Sequence, residues 1–97
     1  MNLENLEGAT GGWQVVMVHD QSTPPDVTLA VLRDFLMLDG KEAESIVREL
    51  KREGRAVCGI YPRTIAEFIV EQVGNYSRMH GHTLRCEVSV QKMGGKV

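Results

Sequence analysis

Apolar residues recur along this chain with two different periods, and the switches between them mark out its elements. Trp13-Gln14-Val15-Val16-Met17-Val18-His19 is β-rich and almost continuously apolar, with glycines before it and a polar run after. That predicts a strand covered on at least one face. Asp20 to Pro25 is a polar loop leading into a helix. Thr23 is placed to cap that helix, and Pro24 suits the first turn, where its missing N–H costs nothing. Leu29, Leu32, Phe35 and Leu36 follow at helical spacing, predicting a first helix from about Pro24 to Met37. Asp39 stands three residues before Glu42, the spacing of a capping box. Ala43, Ile46, Val47 and Leu50 form the stripe of a second helix, which Gly54 is expected to stop in a left-handed conformation. Arg55 to Tyr61 reads as a second strand. Pro62 opens a third helix with the stripe Ile65, Phe68, Ile69, Val73 and Tyr76, broken at Gly81. Thr83 to Val90 alternates with period two, a half-buried third strand.

The order is β-α-α-β-α-β, with neither an internal repeat nor a linker. It predicts an α+β domain: three helices packed on one face of a three-stranded antiparallel sheet. The domain is expected over residues 13–92, after a flexible tail at 1–12 and before a frayed end at 93–97. Ninety-seven residues suit one core, and 42% hydrophobic with 25% charged residues is a globular balance. Aromatic residues are only 5%, so the core must be aliphatic. Eleven basic against thirteen acidic side chains give a net charge of −2, which argues against nucleic acid as a partner. No apolar run approaches the roughly 20 residues of a membrane helix, and the first residues lack a secretion-signal layout. Two cysteines are too few for a disulfide-stapled miniprotein, so the cytoplasm is the expected compartment.

Chemistry-bearing residues are sparse. Cys58 and Cys86 lie inside predicted strands without the close-spaced second ligand that zinc needs, and read as small buried hydrophobes. His80 and His82 flank Gly81 with no carboxylate or thiol to complete a metal set, and read as a solvated turn. No nucleophile–base order, phosphate loop or zinc-protease string occurs. No enzyme activity, metal or cofactor is expected. Arg48, Lys51, Arg52 and Arg55 gather near the end of the second helix, where cations complement the helix dipole and can pair with Glu49 and Glu53. The adjacent pairs Val15-Val16 and Ile69-Val70 each turn one member away from the core, and the uncovered sheet face is a plausible interaction surface.

From Trp13 to about Lys92 the chain resembles the ClpS family, adaptors of the bacterial Clp protease that recognise N-terminal degrons. The resemblance is carried by Val15-Val16-Met17-Val18-His19-Asp20, by Thr23-Pro24 opening a helix, and by Gly54-Arg55-Ala56-Val57-Cys58-Gly59-Ile60-Tyr61. Asn75-Tyr76 and His82-Thr83-Leu84-Arg85-Cys86 also match. It implies the same β-α-α-β-α-β fold and an adaptor that delivers substrates with hydrophobic N-termini to the N-terminal domain of a Clp-type AAA+ ATPase. The substrate site would comprise His19, Asp20, Gln21, Thr23, Pro25, Val47, Leu50, Lys51 and Leu84. The ATPase-docking positions would be Thr64, Glu67 and Ile69.

Departures from the family pattern fall at both surfaces. The family clamps an ammonium with an Asn-Asp pair and a helix histidine, and such a clamp needs acceptors. Asp20 and Thr23 are retained, but His19 stands for the asparagine and Lys51 for the histidine. Two like charges 4 Å apart repel by about 4 kcal/mol at an effective dielectric near 20. A lysine can swing into solvent or toward Glu53, which lessens that penalty. Pro25 and Val47 replace methionines that shape the family's pocket, and the shorter Val47 is expected to widen it. Thr64 and Ile69 replace an acid and a base in the docking helix, with Glu67 kept nearby. The expected function is a degron adaptor with altered specificity. The alternative is an interaction or regulatory module on the same fold that no longer reads the amine.

Overall fold

In a computed structural model, described over residues 12–90, the elements run β1 (Trp13–Val18), α1 (Pro25–Phe35), α2 (Gly40–Glu53), β2 (Arg55–Tyr61), α3 (Arg63–Met79) and β3 (Arg85–Val90). The expectations for residues 1–11 and beyond 90 lie outside the described residues. Gly12, expected in the tail, is instead buried: it has φ of +73°, and a β-carbon there would collide with the Ile60 side chain.

β1 is the central strand of an antiparallel sheet ordered β2-β1-β3. Its place between two neighbours fits the apolar run from Val15 to Val18. Val15 and Met17 are fully buried in the core shared with the helices. Val16 points to the other face and is still only 6% exposed, because Val57 and Glu87 stand beside it in register. Over that face Glu87 accepts from Arg55 (3.1 Å) and Arg85 (3.2 Å), joining the two edge strands across β1. A bulge falls opposite Val15/Val16, where the register steps from Gly59 to Val57.

The second helix forms as its sequence predicts. The Asp39 carboxylate accepts from Glu42 N–H at 2.8 Å and Glu42 reaches back to Asp39 N–H, while Gly54 closes the helix at φ of +86° with its N–H bonded to Leu50 C=O. The first helix differs at both ends. Pro24 is extended and lies outside the helix, the Thr23 side chain caps nothing in it, and Pro25 is its first residue. Beyond Phe35 the chain leaves through Met37, at φ of +59°.

α3 buries part of the expected stripe, Ile69 and Val73, with Tyr76 packed against the core. Ala66, Ile69, Val73 and Ser77 face the core, whereas Ile65 and Phe68 are 47% and 60% exposed. Small side chains at 66 and 77 let the helix sit close on the sheet, which Ile65 and Phe68 at the interface would prevent. Tyr76 is half-buried, edge-on to Phe35 with ring centroids 5.4 Å apart and stacked on His80 at 4.2 Å. β3 begins two residues later than expected, because His82 N–H bonds Ser77 C=O and Thr83 N–H bonds Asp20.

Candidate functional site

β1 ends at Val18 and the chain turns through His19 to Ser22 into α1. His19 N–H donates to Gly54 C=O at 3.0 Å, so the end of β1 is tied to the end of α2. Thr23 N–H closes the turn on Asp20 C=O at 3.1 Å. The Asp20 carboxylate organises the rest. Its Oδ2 accepts from Thr23 Oγ1 (2.5 Å), Ser22 Oγ (2.9 Å) and Thr83 N–H (3.3 Å), and its Oδ1 accepts from Ser22 N–H at 3.4 Å. The Thr23 hydroxyl does most to hold this carboxyl well below the usual carboxylate range; Thr83 and Ser22 add to it, and partial desolvation opposes it. Oδ2 is saturated, while Oδ1 carries one long bond and keeps an acceptor direction open.

Beside this turn, His19, Thr23, Pro25 and Thr28 meet Val47, Leu50 and Lys51 of α2 around a cavity of about 20 Å³. That is room for roughly one water molecule. Six of the residues expected at a substrate site are therefore brought together: His19, Thr23, Pro25, Val47, Leu50 and Lys51. Asp20 adjoins them, Gln21 is exposed at the turn, and Leu84 is buried in the core; none of these three lines the cavity. Thr28 is the lining residue that sequence reasoning missed, although its position three residues after Pro25 places it on the same helical face. Val47 lines the cavity beside Pro25 and Lys51. Lys51 does not reach Glu53, which is bonded to Arg52 at 3.0 Å, and makes no salt bridge among the described residues.

A larger hollow, about 220 Å³, lies between α2 and β2 and is lined by Leu38, Glu42, Ser45, Ile46 and Cys58. It offers an amine little: Glu42 is engaged in the capping box, and burial pushes the Cys58 thiol up to about 12. Cys86 is raised further by the same cause, and both cysteines are free and buried. Among the described residues no three His, Cys, Asp or Glu side chains gather as a metal set, and no helix is long and apolar enough to cross a membrane.

On α3, Thr64 and Glu67 are exposed as expected of a docking surface. Arg63 pairs with Glu67 at 3.1 Å and lies 5.2 Å over the Trp13 ring, fixing the start of the helix against β1. Ile69 is a correction. It is only 6% exposed within the core, because an aliphatic side chain there turns inward, and it presents nothing to a partner.

The family model for the ATP-dependent Clp protease adaptor protein ClpS matches residues 10–87. The ATP-dependent Clp protease adapter protein ClpS of Hydrogenovibrio crunogenus is 38% identical over 78 residues, spanning 80% of this chain and 75% of that one. The protein of the same name from Xylella fastidiosa (strain M12) is 40% identical over 74 residues, 76% of this chain and 70% of that one. The structure of Agrobacterium tumefaciens ClpS2 bound to L-phenylalaninamide superposes with a TM-score of 0.80 at 20% identity, over 84% of this chain and 99% of that one, and shows the same fold. With the matched residues running from the start of β1 into β3, the chain belongs to the ClpS family of Clp protease adaptor proteins.

Proposed function

We propose that this protein is a substrate adaptor that binds the N-terminus of its cargo at the β1–α1 turn and delivers it to a Clp-type AAA+ ATPase–protease in the cytoplasm. It acts by binding and performs no chemistry of its own. The observation that carries this reading is Asp20, an ionised carboxylate fixed by Ser22, Thr23 and Thr83 next to a cavity, with Oδ1 still able to accept from an ammonium. A free α-amine bonds there, and the first side chain enters between Pro25, Val47 and Leu50. A leucine side chain needs more than one water's volume, so binding displaces the Lys51 stem or the His19 ring outward. The ClpS2 relative, whose structure holds an amino-acid amide with an aromatic side chain, supports the same mode of use. Delivery runs through the exposed start of α3, with Thr64 and Glu67 flanked by Ile65 and Phe68 against the N-terminal domain of the ATPase.

Fluorescence anisotropy with a labelled peptide starting in Leu or Phe, and with its N-acetylated twin, tests this reading. Micromolar binding that disappears on acetylation is expected; equal or absent binding to both overturns it. Lys51→His combined with His19→Asn replaces a cation with acceptors and should tighten binding of the free-amine peptide by about tenfold.

A further inference from the structure

Among the residues lining the cavity, His19 and Lys51 bring nitrogen, and Thr23 and Thr28 bring hydroxyls. Lys51 carries a full positive charge with no carboxylate partner among the described residues. Arg48, one turn back along α2, is likewise without a salt bridge among them. Asp20 is engaged by its donors and Glu53 by Arg52, while Glu44 and Glu49 of α2 make no salt bridge among the described residues. Asp26, next after Pro25, is exposed in the first turn of α1, where the helix dipole already favours a negative charge. The site therefore sets one amine acceptor, Asp20 Oδ1 in the turn after β1, beside a cavity lined by a cation of α2 that makes no salt bridge among the described residues.

From this juxtaposition we propose that the site selects substrates carrying a carboxylate close behind the free amine, an Asp or Glu at the second or third residue, with Lys51 as the residue that reads it. Such a ligand is dipolar in the sense opposite to the site. Its ammonium meets Asp20, and its carboxylate meets Lys51 and cancels the repulsion that Lys51 exerts on the ammonium. A ligand with a neutral or basic second residue leaves that repulsion standing. The inference rests on the amine-binding reading above and names the substrate class for the same site.

The test uses the full chain and four labelled peptides that differ only at the start: Leu-Asp-Asp, Leu-Ala-Ala, Leu-Lys-Lys, and N-acetylated Leu-Asp-Asp. Binding is followed by anisotropy at low salt and again at 0.5 M NaCl. The expected order is Leu-Asp-Asp tightest, by about three- to tenfold over Leu-Ala-Ala and more over Leu-Lys-Lys, with the spread shrinking at high salt. Lys51→Met keeps the aliphatic stem and should bring the three free-amine peptides to within about twofold of one another. Equal, acetylation-sensitive binding of all three to the unmodified protein overturns the carboxylate selection and leaves amine recognition intact. Equal binding of the free and acetylated Leu-Asp-Asp peptides, or none by any peptide, overturns both. A preference for Leu-Asp-Asp that survives Lys51→Met overturns the role given to Lys51.

Discussion

At Asp20 a single carboxylate gathers the turn after β1, accepting from Ser22, Thr23 and, across 63 residues, Thr83. Its native pKa lies below the unfolded value, so the unfolded chain takes up this proton first as pH falls. The stabilisation is complete above the unfolded pKa near 4 and is lost as pH drops through the lower native value. Thermal melts of wild type and Asp20→Asn should therefore differ most above pH 5 and draw together below about pH 4. A gap that stays constant with pH would mean that the carboxylate's charge contributes nothing. Met37 shows the reverse situation, a residue at odds with its backbone. It sits at φ of +59° and is 80% exposed, so its side chain gains little from burial. The left-handed region costs an L-residue about 1–2 kcal/mol, of which glycine's larger chain entropy takes back about 0.5–1. Met37→Gly should stabilise the protein by about 0.5–1 kcal/mol in urea titrations.

Among the elements, α2 is the one whose ends follow directly from residue types at fixed offsets, with Asp39 and Glu42 at its start and Gly54 at its stop. Nothing lies within 4 Å of the place where a β-carbon on Gly54 would stand, so substitution there tests backbone conformation alone. Gly54→Ala should cost about 1 kcal/mol in the midpoint of chemical unfolding. An unchanged midpoint would show that the left-handed stop adds no stability. The element matters for the site as well, because Gly54 C=O receives His19 N–H and α2 supplies Val47, Leu50 and Lys51 to the cavity. In α3 the apolar pattern gave the inward direction for Ile69, Val73 and Tyr76 but not for its other two members. Ile65 and Phe68 have the spacing of a buried stripe, yet Ala66 and Ser77 occupy the interface, because a helix lying on a sheet this small is set by the closest approach it can make.

For the whole molecule, the two buried thiols report on cooperative unfolding. Cys58 and Cys86 lie on β2 and β3, on either side of β1, and burial raises both pKa values, to about 12 for Cys58. Folding is then unaffected by these groups below the unfolded thiol pKa near 8.5–9, and stability declines as pH rises from there toward the native value. Neither thiol should react with an aromatic disulfide reagent at pH 8 in the native protein, and both should react at the rate of global unfolding in denaturant. Fast native labelling of either cysteine would contradict the burial seen here. Across the open face, Glu87 holds Arg55 and Arg85 in exposed pairs that fix strand alignment more than stability.

Periodicity, capping residues and glycine positions by themselves determined the six elements, their order and the span of β2, since each is a local preference written in neighbouring residues. The motif resemblance likewise led to Asp20, Thr23 and most of the cavity lining. Tertiary structure alone decided the rest. Thr23 serves Asp20 instead of a helix end, and Thr28 joins the site around a cavity of about 20 Å³. Each of these depends on which distant partner comes within hydrogen-bond or van der Waals reach, a distance that only the packing of α1 and α2 against the end of β1 sets.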